Sequence, residues 1–360
     1  MRRQAGPIDF WLLLPVLLLV GIGIIMVFSA SALTTTDSFY YLKRQLLWAG
    51  VGMAGLLIMS QVNYTSWRRL ATPLLIIAVI LLLLVLVMGI GARGSARWLG
   101  VGSLSFQPSE VIKLAMVIFL AASLADNHRR LQSFTQGVGP YLVLLAIVCG
   151  LILRQPDLGT AVMVAGMIYL MLLVAGADRR YLALLAAMGV AAVSLAVIIA
   201  PYRMARFTAF LDPWADPQEH GYQTIQSLLA IGSGGLFGSG LGQGRQKLFY
   251  VPENHTDFIF AILSEELGFI GAALVIVLFL VLIWRGVNTA LKAPDNFGCL
   301  LAAGLTIMIG LQAIINLGVV TGLLPVTGIT LPLISYGGSS LIFTLLGVGM
   351  LLNISRYAGN

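Results

Sequence analysis

Chemistry in this chain has to come from few side chains, because only 10% of its 360 residues are charged. The densest polar run is Val251-Pro-Glu-Asn-His-Thr-Asp-Phe-Ile-Phe260, two carboxylates and an imidazole that lead straight into an apolar stretch. Asp257 falls at the expected N-terminus of that stretch. A carboxylate there either caps the helix or, fixed at a membrane–water boundary on a rigid element, takes a proton from a hydroxyl. Glu265 and Glu266 follow two turns deeper, and acids in an apolar segment need something cationic or hydroxylated to meet them. Glu110 and Lys113 stand three apart, so on a helix they share a face and can pair. Intramembrane ionisable groups are more often functional than structural. Arg154-Gln-Pro-Asp157 is a tight connection. Its aspartate either caps the helix beginning at Leu158-Gly-Thr160 or belongs to the site, and the two readings stand level.

Other patterns fit chemistry less well. Gly50-x-Gly52-x-x-Gly55 has the letters of a dinucleotide fingerprint but lies in an apolar span with no strand before it, so small residues for helix approach are the better reading. Seven glycines between Gly232 and Gly244 read as a flexible external loop, with a backbone cradle for phosphate as the alternative. His128, His220 and His255 are the only histidines, no His/Cys/Asp set has ligand spacing, and no Gly-x-Ser-x-Gly elbow occurs; neither a metal site nor a serine nucleophile is expected. Cys149 and Cys299 read as small core residues.

The elements that must position these residues are membrane helices. Hydrophobic residues make up 59% of the chain and mean hydropathy is +0.96, against ~25% charged residues in a soluble domain. A soluble enzyme, a disordered chain and a disulfide scaffold are excluded. The expected fold is an all-α polytopic membrane protein forming a single domain over 1–360. Ten spans are predicted: Phe10–Phe28, Leu46–Met59, Pro73–Ile90, Val111–Ala125, Pro140–Leu153, Thr160–Ala175, Tyr181–Ala200, Phe258–Trp284, Phe297–Leu317 and Leu341–Ser355. A hydrocarbon core takes ~20 residues, so the fourth and fifth are short enough to be re-entrant. Ala30-Ser31-Ala32 resembles a signal cleavage site, yet the run before it is too long for a signal core; an uncleaved first helix is expected.

Orientation follows from basic residues. With a cytoplasmic N-terminus, Arg2, Arg3, Arg68, Arg69, Arg129, Arg130, Arg179, Arg180, Arg285, Lys292 and Arg356 fall inside, against Lys43, Arg44, Arg93, Arg97 and Arg154 in short outer loops. Excess Lys and Arg inside predicts both termini in the cytoplasm and the long loop Pro201–Asp257, between spans seven and eight, outside. The net charge of +7 is thus explained by topology and implies no nucleic acid. The polar inventory then collects at the outer face. Its basics run against the positive-inside trend, and a pyrophosphate suits such a surplus; Lys113, Arg203 and Arg206 join them as candidates.

Eight segments resemble the SEDS family of shape, elongation, division and sporulation proteins. They are Gln107-Pro-Ser-Glu110, Gln155-Pro-Asp-Leu-Gly-Thr160, Leu211-Asp-Pro213, Gly221-Tyr-Gln223-x-x-Gln226-Ser227, Ile231-Gly-Ser-Gly-Gly235, Pro252-Glu253-x-His255-Thr-Asp-Phe-Ile-Phe-Ala261, Glu265-Glu-Leu-Gly268 and Ser335-Tyr-Gly-Gly-Ser339. They run in family order over nearly the whole chain. Short termini point to the RodA type, since FtsW-type relatives usually carry longer tails. The resemblance implies a peptidoglycan glycosyltransferase of the bacterial cytoplasmic membrane that polymerises lipid II at the outer leaflet during elongation and rod-shape maintenance. Implied partners are a class B penicillin-binding protein and other elongation-complex membrane proteins. No cofactor is implied, although a divalent cation acting through the substrate's pyrophosphate stays open. Asp257 matches the family's essential loop aspartate, and Glu110, Lys113 and Asp157 match motif positions tied to activity or the cavity. Gln107, Ser109, Arg154, His255, Ser264, Glu265, Arg203 and Arg206 complete the candidate substrate-binding set.

An inverting displacement with Asp257 as general base is the expected mechanism, with His255 as runner-up. The competing class is a flippase or transporter of the lipid-linked precursor, which needs polar residues along a path through the bilayer. The inner halves of the spans are nearly free of charge. A division-type member of the family is the nearer alternative, and a scaffold that only recruits the cross-linking partner is a third reading. Gly310, Gly318, Gly322, Gly347 and Gly349, in and near the last three spans, are expected to let the partner's single span approach closely.

Overall fold

Backbone in hydrocarbon must satisfy its own N–H and C=O groups, and the long uncharged runs do so as helices. The computed structural model describes residues 6–31, 37–89, 97–101, 104–127, 131–246 and 255–358. Among them are twelve α-helices: α1 Phe10–Ser31, α2 Tyr40–Gln61, α3 Thr65–Met88, α4 Pro108–Asn127, α5 Gly139–Leu153, α6 Leu158–Val174, α7 Arg179–Ile199, α8 Pro201–Leu211, α9 Tyr222–Ser233, α10 Ile259–Lys292, α11 Asn296–Val320 and α12 Gly338–Tyr357. One antiparallel hairpin, β1 Leu99–Val101 with β2 Leu104–Phe106, is the exception to helix among the regular elements of the described residues.

Each of the ten expected spans lies on a helix. Eight helices are long and apolar enough to cross a membrane unaided. Spans four and five, expected to be short, are 20 residues each, as Pro108–Asn127 and as the π-turn plus α5, Phe134–Leu153. Polar residues at their ends had hidden the extra turns, and the re-entrant reading falls away. The remaining two are α2, whose first turns carry Lys43, Arg44 and Gln45, and the 17-residue α6. The segment 201–257, expected as a loop, instead carries the helices α8 and α9.

The middle of the bundle is α4, α11 and α12, each largely buried, while α7 buries almost nothing besides Leu182 and Leu185. The glycines of the last spans are used inside this packing. A Cβ on Gly349 would come 2.5 Å from Leu56 O in α2, one on Gly347 3.3 Å from Leu305 in α11, and one on Gly310 3.1 Å from Ile283 in α10. Gly318 and Gly322 likewise face Leu324 and the Thr224–Leu228 turn of α9. Gly310, Gly347 and Gly349 are buried and serve packing within the chain, whereas Gly318 and Gly322 are half-buried. The Gly52 and Gly55 contacts to Leu345 and Leu346 of α12 similarly show α2 and α12 in close approach.

α10 is broken. Gly268 takes φ 67° and ψ −168° inside it, which strands amides and carbonyls that a helix would pair. Residues 235–240 plug the break: Ser239 N donates to Glu265 O (2.9 Å), Gly240 N to Glu266 O (3.0 Å), Phe269 N to Gly235 O (2.8 Å) and Ile270 N to Leu236 O (3.2 Å). Such close approach requires glycine, since a Cβ on Gly238 would sit 2.2 Å from Glu266 O. The glycine-rich run is therefore a docked plug, not a flexible loop.

At the opposite end the chain closes on itself. Gly6 N donates to Arg356 O (2.8 Å) and Arg356 Nε to Gly6 O (3.0 Å). Asn353 clamps the α2–α3 turn, donating to Ser60 O (2.9 Å) and accepting from Tyr64 N (2.8 Å).

Candidate active site

The site is organised by one polar stripe on α11. Gln312 and Asn316 lie one turn apart in an otherwise apolar helix, 2% and 0% exposed. Pro108 starts α4 where its missing N–H costs nothing, and Glu110 and Lys113 in its first turns face that stripe. Lys113 Nζ donates to Glu110 Oε1 (2.7 Å) and to Gln312 Oε1 (2.8 Å). Gln312 Nε2 donates to Thr330 O (3.0 Å) and Ser340 Oγ (3.2 Å). The expected pairing is present, and the lysine is nearly as buried as a core leucine. Gln107 N donates to Ser339 Oγ (3.0 Å), which places the Gln107–Glu110 segment against the start of α12. Ser109 is buried there, and its hydroxyl has no partner among the described residues.

One turn along α11, the same stripe reaches Asp257. Asn316 Nδ2 donates to Asp257 O and to Ile329 O, both at 2.7 Å. Ser335 Oγ donates to Thr256 O (2.7 Å) and Tyr336 N to His255 O (2.9 Å). Three consecutive carbonyls of the turn 255–258 are thus held by α11 and by the connection 321–337. α10 begins at Ile259 with Phe258 as its N-cap residue, so Asp257 precedes the cap and the capping role does not apply. Its half-buried carboxylate faces Gly328, where a Cβ would come 3.4 Å from Oδ2. His255 packs its ring on Tyr41 (4.5 Å between centroids) and near Tyr336 (5.7 Å). Burial pushes the Tyr336 phenol up from its ordinary pKa, with nearby Arg44 opposing.

Asp157 does what its cap reading says. It accepts from Thr160 N (3.0 Å) and Thr160 Oγ1 (2.9 Å) at the start of α6. Arg97 stands 3.8 Å from its carboxylate and donates to Gln155 O (3.0 Å), fixing the turn. A Cβ on Gly159 would touch Thr327 at 2.8 Å, so this turn rests on the connection that carries Gly328.

The other candidates stand apart from this group. Arg154 is exposed. Arg203 donates to Tyr202 Oη (2.8 Å) and Ala196 O (3.1 Å). Arg206 lines a small cavity with Glu219, His220 and Gln223. Ser264 donates to Phe260 O within its own helix (2.7 Å). Glu265 accepts Arg245 N (2.7 Å) and Gln246 N (3.2 Å), while Glu266 accepts Gly242 N (3.0 Å) and Ser29 Oγ (2.7 Å). The amide nest considered for a phosphate therefore holds the protein's own carboxylates. Asp216, Glu219 and His220 gather with ligand atoms within 4.8 Å, but the Asp216 oxygens accept the Glu219 and His220 amides (3.2 Å each). Arg93, Glu253 and Pro252 lie outside the described residues.

Sequence reasoning missed Gln312, Asn316, Thr330, Ser340 and Gly328. The first two carry a signal in the sequence, amides at i and i+4 in an apolar span.

A family model described as cell cycle protein, covering FtsW, RodA and SpoVE, matches residues 10–360. The chain belongs to this family. Stage V sporulation protein E of Bacillus subtilis is 51% identical over 99% of both chains. The probable peptidoglycan glycosyltransferase FtsW of Geobacter metallireducens is 45% identical over 96% of this chain and 94% of its own. Among solved structures, a chain described under structural coordination of polymerization and crosslinking by a peptidoglycan synthase complex superposes with TM-score 0.80, at 33% identity and 98% coverage of both. The rod shape determining protein RodA of Thermus thermophilus superposes with TM-score 0.72 at 32% identity, over 97% of both. This FtsW/RodA/SpoVE member is a multi-pass protein of the bacterial cytoplasmic membrane. Sporulation, division and rod-shape proteins all stand among its relatives, so the comparisons do not distinguish the RodA type.

Proposed function

We propose that this chain is a peptidoglycan glycosyltransferase that polymerises lipid II at the outer leaflet, with Asp257 as general base. The observation that carries the reading is the turn 255–258, whose carbonyls are fixed one after another while the Asp257 side chain stays half-exposed at the head of a rigid helix. Lipid II presents a sugar α-linked to pyrophosphate and the polymer bond is β, so one inversion is needed. A base takes the proton of the acceptor hydroxyl as that oxygen attacks the anomeric carbon, and the pyrophosphate departs as a stable anion. Lys113 is the buried cation of the same polar stripe. In this reading it offers its charge toward the substrate anion while Glu110 and Gln312 hold it in place. Both termini are cytoplasmic, which puts Asp257 on the outer face. A class B penicillin-binding protein cross-links the product, in keeping with the synthase complex that the fold resembles. No cofactor takes part, and any divalent cation acts through the substrate's pyrophosphate.

The test is polymerisation of lipid II by purified protein in detergent. Losing a general base costs ~10²–10⁴-fold, so Asp257→Asn is expected to bind lipid II normally and form almost no polymer. A variant that polymerises within a few-fold of the parent would remove Asp257 from the role and direct attention to His255. Polymer formed without any bilayer also separates a transferase from a flippase. The higher identity to SpoVE and FtsW relatives supports a septal role over the elongation role that the short termini suggested. A fluorescent fusion concentrated at division septa supports it, and one spread along the side wall opposes it.

A further inference from the structure

We infer that Asn316 is a positioning residue for polymerisation, holding the turn that carries Asp257 and the wall that faces it in one register. The inference rests on Asp257 being the base. Asn316 is fully buried and its amide is spent on two carbonyls, Asp257 O and Ile329 O, each at 2.7 Å. Both partners are acceptors, so only the nitrogen end can face them. Asp257 O belongs to the peptide of the base itself. Ile329 follows Gly328, whose backbone at φ +77° lines the carboxylate, with 3.4 Å from a Cβ there to Oδ2. One side chain thus ties both sides of the Asp257 carboxylate to α11.

The same helix face, four residues earlier, holds Lys113 through Gln312. The amide therefore sets where the base stands relative to the buried cation. Its Oδ1 has no partner among the described residues, so the group is kept for its two donors. An aspartate of the same shape would offer two oxygens to two carbonyls and release both segments.

The experiment measures kcat and KM for lipid II with Asn316→Ala and the isosteric Asn316→Asp. A misplacement of about 1 Å costs on the order of 10²-fold in rate, so kcat is expected to fall about that much with KM little changed. The double variant with Asp257→Asn should be no slower than Asp257→Asn alone, because residues acting through one another are not additive. Asn353→Asp is the control. It breaks a buried amide clamp of the same kind at the other end of the bundle, and should lower thermal stability while keeping kcat. If either Asn316 variant fails to fold, Gly328→Ala strains the φ +77° backbone that lines the same carboxylate, from an exposed position, and should lower kcat likewise; unchanged kcat there would overturn the inference. Asn316 variants that melt early but keep kcat, as Asn353→Asp does, would overturn the inference and leave Asp257 as base. An active Asp257→Asn would instead overturn the base assignment, and this inference with it.

Discussion

Lys113 and Glu110 show how far a single spacing can be read. Three residues apart on a helix, they had to share a face, and the 2.7 Å contact is there. Their real partner set was not legible, because Gln312 reaches Lys113 from 199 residues away and is uncharged. The same is true of Asn316, whose targets are backbone carbonyls in connections with no regular pattern. Asp157 was readable to the level of a cap, and for Asp257 the cap alternative falls away because the helix begins two residues later. Breaking a buried ion pair on one side costs ~3–5 kcal/mol. Lys113→Met should therefore lower the melting temperature sharply. Adding Glu110→Gln to it should recover most of the loss, since no unpaired charge remains. A double variant that melts no higher than Lys113→Met would show that the cost lies in packing instead.

At the level of elements, apolar runs declared the helices and said nothing about where one breaks. Gly268 lies in an apolar stretch behind two acids, and its φ of 67° leaves no trace in hydropathy. The run Gly232–Gly244 was misjudged because glycine serves both loose loops and tight backbone approach. Only the partner segment distinguishes the two. Two substitutions separate these uses. Gly268→Ala combines a backbone region essentially reserved for glycine (φ 67°, ψ −168°), worth ~1–3 kcal/mol, with a Cβ 2.3 Å from Gly238 N. It should unseat the plug and strongly lower the melting temperature in detergent. Gly235→Ala has φ +54° but open space around its Cβ, so only the ~1–2 kcal/mol backbone cost applies and the shift should be small. Equal shifts would mean that the plug contributes little.

For the whole molecule, the sequence reading found the class and the order of the helices. It erred on the surface, because a small residue looks the same whether it faces a neighbour in the chain or a partner outside it. Gly349→Leu should therefore destabilise the isolated protein, through the 2.5 Å approach to Leu56 O, rather than weaken partner binding selectively. Thermal melting without the partner checks this. Orientation is checked by single cysteines at Ala215, Gln243 and Lys292, all exposed, in a background lacking Cys149 and Cys299. An impermeant thiol reagent on intact cells should label the first two and spare the third; the reverse pattern would invert the topology.

The bonds between Gly6 and Arg356 have an arithmetic consequence. A chain whose two ends touch must enter and leave on the same side of the bilayer, so it crosses an even number of times. Eight helices cross by length and apolarity alone. Counting the 17-residue α6 as a ninth obliges a tenth, and α2, with its lysine and arginine at one end, is the helix left to make it. The contact at the ends thus ties the status of α2 to that of α6: both cross or neither does.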